Sequence, residues 1–215
     1  MSTNLPLVVT ISRLVGSGGD YLGHRLASHL KALYLDHEIV RQAAQKLKIS
    51  EEYLETRDEK FTPFWTSMIE SIGLKDYGVY IAPSLNLPND KDIFNAEKEV
   101  ILRVAEQHSA VIVGRAGSYI LREHHNHISI LLHASEDFRK KRLQELYNLT
   151  EKEAIQTLHS EDEKRAKYLH AFTGSDWSNA RQYHLCLDTG IIGITESEEV
   201  ILKTLQVRFG VEMQS

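Results

Sequence analysis

Short apolar runs alternate along the chain with longer stretches in which apolar residues recur at helical spacing. Residues 7–11, 110–113 and 128–132 form such runs, and mostly apolar runs of this length are typical of buried parallel strands. After the first run, leucines recur at spacings of four, four and three residues and so predict one apolar face of a helix, at Leu22, Leu26, Leu30 and Leu33. Strands that alternate with helices predict an open, mostly parallel α/β sheet with helices on both faces.

Local capping signals mark the starts of two further helices. Ser135 precedes two acidic residues, a pattern that predicts a helix N-terminus. Thr150 forms a capping box with Glu153, which starts another helix. The remaining patterns predict a second strand that ends at Asp36, later strands over 110–114, 128–133 and 183–188, and helices over 38–47, 97–107, 161–170 and around 200–209.

Residues 50–95 follow neither pattern. They contain every proline of the chain except Pro6, together with several aromatic residues. Prolines interrupt both helices and central strands. We therefore predict short helices and loops here, which form a helical subdomain within a single domain over 1–215.

The composition narrows the function further. The chain has 215 residues, of which 42% are hydrophobic and 26% charged, as in an ordinary globular protein. Its net charge of -5 argues against a nucleic-acid-binding surface. The apolar runs are too short to cross a membrane, and the first residues do not form a secretion signal, so we expect a cytoplasmic protein. The sequence leaves open whether the protein forms a homo-oligomer.

The sequence offers little for a metal site made of protein groups alone. Cys186 is the single cysteine, which excludes an internal disulfide and a cysteine-based zinc site. The histidine-rich run over 123–127 lies in a short polar connection without a second set of ligands, and we interpret it as a solvated loop. We therefore assign no residue as a metal ligand.

A glycine-rich loop follows the first predicted strand and precedes the first helix. Three glycines among four residues let the backbone turn tightly and aim its amide N–H groups into one concavity. The helix that begins near Gly19 adds its positive end, and a phosphate group is the natural occupant. The alternative is a plain strand-to-helix turn. The candidate nucleotide-binding residues are Ser12, Gly16, Ser17, Gly18, Gly19, Asp20 and Tyr21.

This loop departs from the standard phosphate loop, G-x-x-x-x-G-K-[ST], in which the lysine binds the β- and γ-phosphates and the hydroxyl binds Mg²⁺. If Gly18 is the second glycine of that pattern, Arg13 stands in place of the first glycine, Gly19 in place of the lysine and Asp20 in place of the Ser/Thr. A cation is thus missing from its usual position. Arg13 is the candidate to supply that charge from the other side of the loop.

Several segments, in order, resemble the cytidylate kinase-like branch of the P-loop nucleoside monophosphate kinases. The loop I-S-R-L-V-G-S-G-G is followed by segments similar to the second strand, an acceptor-binding segment, the lid-entry helix, the arginine-bearing lid and the final strand, at residues 11–19, 34–40, 113–121, 133–142, 162–168 and 177–189. Ala116 stands where the third segment of cytidylate kinases has an aspartate. This departure leaves acceptors other than a cytosine nucleotide open.

The resemblance implies a three-layer P-loop NTPase fold with a mostly parallel sheet, helices on both faces and a helical acceptor and lid insertion. It implies residues 50–95 as the acceptor-binding subdomain and residues 139–178 as the lid region. It also implies ATP and Mg²⁺ as cofactors, small-molecule nucleotides as partners, and transfer of the γ-phosphate to CMP, dCMP or another small acceptor. In the family, the arginine that matches Arg115 contacts the acceptor phosphate. The second strand enters the acceptor-nucleotide region at the aspartate that matches Asp36.

Phosphoryl transfer depends on positioning and charge neutralisation, so converging arginines suit it. The candidate catalytic residues are Arg13, Arg142 and Arg165. Arg139 lies three residues before Arg142, on the same helical face. Solvated surface arginines are the alternative, as is a helix cap for Asp36.

Two functions remain open. The arginines favour an enzyme, because a protein that only binds a nucleotide has less need of a cationic lid. Gly19 and Asp20 favour the alternative of a catalytically weak or inactive nucleotide-binding protein that acts as a sensor or interaction module. A purely structural domain would leave the glycine loop unexplained.

Overall fold

The structure is a computed structural model that describes residues 6–44 and 90–211. One sheet contains five strands, β1 (Val8–Arg13), β2 (Leu33–Leu35), β3 (Ala110–Val113), β4 (His127–His133) and β5 (Leu185–Asp188). The strand order is β2-β3-β1-β4-β5, and every pairing is parallel. The predicted parallel α/β sheet is confirmed.

Helices connect these strands on both faces. They are α1 (Gly19–Leu30), α2 (37–44), α3 (Asp90–Gln107), α4 (Gly117–Ile120), α5 (Glu136–Tyr147), α6 (Glu151–Thr173), a 3₁₀ turn (Ala180–Gln182), α7 (Thr189–Ile192) and α8 (Ile194–Phe209). In the part of the chain that the structure describes, no helix is long and apolar enough to span a membrane.

The core has two halves because successive strand residues point to opposite faces of the sheet. Val8 and Ile112 pack with residues of α2 and α3 in one cluster. Val9 and Val111 pack with residues of α1 and α8 in the other. Both faces are therefore covered, as a three-layer fold requires, and the apolar runs of the strands are explained by burial on both sides.

The predicted caps form as expected. The Ser135 hydroxyl oxygen accepts a hydrogen bond from Phe138 N at 3.3 Å, and Thr150 and Glu153 make both hydrogen bonds of a capping box. The prediction of separate helices after Thr150 and over 161–170 is wrong, because α6 runs without a break through 23 residues. Glu163, Lys164 and Lys167 face solvent, whereas Asp162 and Arg165 face the glycine loop.

The structure describes only part of the segments for which a helix or a subdomain was predicted. The segment 50–95 lies outside the described residues apart from its last six positions, which begin α3. The helix predicted over 38–47 is described only as far as residue 44. The segment 139–178 comprises most of α5 and all of α6, and both helices approach the carboxyl ends of the strands.

Candidate functional site

The glycine-rich loop lies between the end of β1 and the start of α1, at the sheet edge where ligands of α/β folds bind. Gly16 and Gly18 have φ angles of 81° and 85°, which favour glycine. A Cβ atom would lie 2.9 Å from the Arg139 carbonyl oxygen at Gly16, and 2.9 Å from the Ile194 side chain at Gly18. Both glycines are therefore needed for this loop shape.

Ser17 fixes the loop from below. Its side chain is fully buried, and its hydroxyl lies within hydrogen-bond distance of the carbonyl oxygens of Leu14, at 2.7 Å, and Leu132, at 3.2 Å. The Thr189 hydroxyl donates to the Ser17 carbonyl at 3.0 Å. Ser17 thus serves the loop through its backbone, with its side chain turned into the protein.

Ser12, half-buried at the end of β1, hydrogen-bonds the Tyr183 hydroxyl.

The Arg13 side chain crosses the start of α1 at the position where a standard phosphate loop has its lysine. A Cβ atom on Gly19 would lie 2.6 Å from Arg13 Cγ, and one on Gly114 would lie 2.4 Å from Arg13 Nη1. The Arg13 side chain therefore runs from α1 to the end of β3: a side chain at Gly19 would collide with its aliphatic part, and the guanidinium group lies against Gly114. Arg13 Nη2 donates to Asp20 Oδ1 at 3.2 Å, and Nε is buried without a partner among the described residues.

Arg165 brings a second cation to the loop from α6. Its Nη1 donates to the Arg13 carbonyl oxygen at 3.2 Å. Burial, and then the charge of Arg13, lower the pKa of Arg165 to about 10, while Asp20, Asp162 and Glu161 raise it. Arg165 is still protonated at neutral pH. Two desolvated cations that repel each other above a glycine loop are stabilised by an anion between them.

The other candidate residues lie around this centre. Tyr21 is exposed, with its ring 5.7 Å from the Arg25 guanidinium. Asp36 caps α2 by accepting from Glu38 N and Ile39 N, each at 3.0 Å. Arg142 is half-buried on α5.

The residues of the loop fit a triphosphate with Mg²⁺. Within the described ranges no three His, Cys, Asp or Glu side chains form a metal cluster. Mg²⁺ in kinase sites is commonly held by one or two carboxylates, the substrate phosphates and water. The Asp20 carboxylate, 65% exposed in the first turn of α1, is placed to contribute one such ligand. Arg13, Arg165 and the loop amides suit the phosphates.

A second cationic centre follows β3. Gly114, Arg115 and Ala116 have φ angles of 84°, 52° and 54°. The left-handed conformation is strained at Arg115 and Ala116, which are not glycines, and such strain persists where the surroundings hold it, often at functional sites. Arg115 Nη2 lies 3.3 Å from Glu97 Oε1, and its guanidinium lies 4.8 Å from the centre of the Tyr168 ring.

Glu97 and Tyr168 form the support for Arg115. The Tyr168 hydroxyl donates to Glu97 Oε2 at 2.7 Å, and the Glu97 side chain is fully buried. Burial raises the pKa of Glu97, whereas Arg115, Tyr168 and Arg41 lower it. Burial also raises the pKa of Tyr168 above its usual value. The Arg115 side chain, 11% exposed, is held by a buried acid and an aromatic ring rather than by solvent.

Sequence reasoning missed Glu97, Arg41 and His37. Burial, and then the charge of Arg115, lower the pKa of His37, and Arg41 lowers it further. The four-residue spacing between His37 and Arg41 was a local signal for a shared helical face. Glu97 gave no such signal, because its role depends on contacts with β3 and α6.

One face of α6 reaches both centres. Asp162, Arg165 and Tyr168 follow each other at three-residue spacing. Asp162 contacts the loop at Val15 N, Arg165 contacts Arg13, and Tyr168 contacts Glu97. The arrangement therefore offers two anion-binding centres, one at the glycine loop and one at Arg115, which a single helix links.

Comparisons with known proteins agree with this architecture. The sequence model of the cytidylate kinase-like family matches residues 8–191. Among solved structures, an uncharacterized protein from Eubacterium ventriosum ATCC 27560 superposes with a TM-score of 0.70 at 22% identity, over 94% of this chain and 99% of that one. At such identity the likeness shows the fold alone. No curated protein matches the chain.

Two kinases of known name are also similar in structure. A shikimate kinase from Bacteroides thetaiotaomicron superposes with a TM-score of 0.48 at 15% identity, over 95% of this chain and 99% of that one. A gluconokinase from Sinorhizobium meliloti 1021 gives a TM-score of 0.49 at 13% identity, over 96% of this chain and 99% of that one.

Proposed function

Because the chain belongs to the cytidylate kinase-like family, we propose that it is an ATP-dependent phosphotransferase that acts on a small nucleotide acceptor. The observation that carries the proposal is the pair of arginine centres linked by α6, with Arg13 and Arg165 at the glycine loop and Arg115 after β3. Transfer between two phosphates requires cations at both the donor and the acceptor.

On the donor side, the loop amides and the positive end of α1 bind the phosphates of ATP. Arg13 supplies the charge that the lysine supplies in a standard loop, and Arg165 approaches the transferred group from α6. Arg142 contributes from α5 as the third candidate. Asp20 would hold Mg²⁺, which would supply positive charge to the phosphate oxygens.

On the acceptor side, Arg115 binds the phosphate of a nucleoside monophosphate, and Arg41 adds charge from α2. Asp36 orders the start of α2 and so places Arg41. The family resemblance favours CMP and dCMP. Ala116 in place of an aspartate makes other nucleoside monophosphates worth testing in the same assay.

The experiment is an assay of ADP formation with the purified protein, Mg-ATP and a panel of nucleoside monophosphates that includes CMP and dCMP. We expect ADP formation that depends on one or two of the acceptors. Equal slow ADP formation with every acceptor would contradict a nucleotide specificity and indicate an acceptor of another class.

A second function is favoured by one observation. Asp20 replaces the hydroxyl residue of a standard loop and pairs with Arg13 at 3.2 Å, which offsets part of the charge on the donor side. A protein that binds ATP without transferring phosphate would fit this pair. In the same assay it would show saturable ATP binding and no ADP with any acceptor.

A further inference from the structure

Asp162 joins α6 to the glycine loop. Its side chain is 16% exposed. Its Oδ1 atom accepts a hydrogen bond from Val15 N at 2.8 Å, and its Oδ2 atom accepts one from Arg139 Nη1 at 2.6 Å. A carboxylate accepts through both oxygens and balances a buried guanidinium, whereas an amide of the same shape does neither.

Arg139 completes the contact from α5. Its side chain is 9% exposed, its Nη1 atom also donates to the Val15 carbonyl at 3.1 Å, and its Nε atom donates to the Ala134 carbonyl at 3.2 Å. Arg139 is thus held by protein groups. The backbone N–H and C=O groups of Val15 are both bound, one by Asp162 and the other by Arg139.

Val15 immediately precedes Gly16, which packs against the Arg139 backbone. Arg165 lies three residues after Asp162 on α6 and contacts the Arg13 carbonyl. The contacts of Val15 with Asp162 and Arg139 therefore fix the backbone that precedes the glycines. They also fix the position of Arg165, on the same helix as Asp162, relative to the loop.

We propose that Asp162 and Arg139 are positioning residues that fix the backbone of Val15 and so preorganise the glycine loop and Arg165 for the donor phosphates. Neither residue contacts the reacting atoms. The kinetic part of this inference rests on the proposed function, whereas the loop ordering is a property of the free protein.

The first test is amide hydrogen exchange of the free protein, read on peptides that cover residues 14–19. We expect Asp162→Asn to speed exchange there about tenfold, because the Val15 amide loses its charged acceptor and Arg139 loses its counter-ion. The control is Glu163→Gln, which removes an exposed ion pair with Lys167 on the same helix and is expected to leave loop exchange unchanged. Unchanged exchange in Asp162→Asn would overturn the inference.

The second test separates positioning from simple loss of folded protein. Asp162→Asn is expected to raise the KM for ATP about tenfold, the scale of other supporting-residue changes, and to leave the KM for the acceptor within about twofold. Asp162→Glu restores the carboxylate and is expected to recover part of the ATP affinity. Because Arg165 acts on the transferred group, kcat per folded enzyme is expected to fall as well. An unchanged KM for ATP together with an unchanged kcat per folded enzyme would indicate a merely structural role and overturn the proposal.

The two tests also separate the two proposals. If the wild-type protein transfers no phosphate, the proposed function fails, and exchange in the free protein still decides the role of Asp162. If Asp162→Asn does not fold, Arg139→Lys keeps the charge and loses the guanidinium hydrogen bonds to the Val15 and Ala134 carbonyls. Arg139→Lys is expected to give the same rise in amide exchange over residues 14–19. Unchanged exchange in that variant would contradict the inference.

Discussion

The residue that most sets this chain apart is Arg13, which occupies the space above Gly19. The Arg13 side chain and a lysine at position 19 exclude each other, because a Cβ atom on Gly19 would lie 2.6 Å from Arg13 Cγ. A loop without lysine is therefore one in which the cation is supplied from the other end of the loop. Substitutions at positions 13 and 19 therefore test whether Arg13 does the work of that lysine.

Gly19→Lys alone is expected to lower kcat about 10²-fold, and Arg13→Gly alone to do the same, since each removes or displaces one preorganised cation. The double variant restores the first glycine and the lysine of the standard pattern, with Asp20 still in place of the Ser/Thr, and is expected to recover at least part of the activity. Steady-state kinetics with Mg-ATP measures all four proteins. Additive losses in the double variant would contradict the equivalence of Arg13 and the lysine.

A second residue, His127, gives the free energy of unfolding a dependence on pH. It begins β4 and so lies at the end of the sheet opposite the glycine loop. It is 6% exposed and hydrogen-bonds Thr10 Oγ1 through Nε2 at 2.7 Å. Burial, and then the charges of His184 and His124, lower its pKa to about 4. The pKa of an unfolded histidine is about 6.5, so between about pH 6.5 and 4 the unfolded chain binds the extra proton.

The free energy of unfolding therefore falls as the pH drops from about 6.5 toward 4, by a histidine contribution on the order of 2–3 kcal/mol. Urea unfolding at several pH values measures it. His127→Gln is expected to flatten this part of the profile, while His125→Gln at an exposed position leaves it as in the wild type. Identical slopes in all three proteins would show that His127 is not the group responsible.

At the scale of elements, α6 decides how the two centres are spaced. Tyr168 holds Glu97 through its hydroxyl at 2.7 Å and supports the Arg115 guanidinium with its ring. The hydroxyl can be removed while the ring stays. This separates the support of Arg115 from the packing of α6.

Tyr168→Phe leaves the buried Glu97 without its hydroxyl donor, and an unsatisfied buried acceptor costs about 1–3 kcal/mol. The KM for the acceptor is expected to rise about tenfold, while the KM for ATP stays within about twofold. Tyr147→Phe on the exposed face of α5 is the matched control. A rise in the KM for ATP instead would place Tyr168 with the donor centre.

The elements also show what a sequence can and cannot reveal. The caps at Ser135 and Thr150 were predicted because the signal lies within four residues of the helix start. The continuity of α6 was not predicted, because a charged run looks the same in a short solvated helix as in the middle of a long helix, where two of its residues, Asp162 and Arg165, face the protein. The glycine loop was found through a local motif. The contact between Arg115 and Glu97 joins two elements distant in the chain, and a local pattern does not encode it.

At the scale of the whole molecule, the parallel sheet brings the two centres together. Because β1 lies between β3 and β4, the loop after β1 and the strained turn after β3 open at the same edge. The alternation of apolar runs with helical segments predicts a parallel sheet. It does not predict the strand order, because that order depends on how the helices pack on both faces.

The most direct measurement follows the γ-phosphate itself, with ATP labelled at that position, Mg²⁺ and CMP or dCMP as the first acceptors. The account predicts label in the nucleoside diphosphate with the wild-type protein, and a loss of transfer of at least about 10²-fold in Arg165→Gln with ATP binding retained. If the wild type binds ATP but no label reaches any nucleoside monophosphate, the account of the chain as a nucleotide phosphotransferase is contradicted.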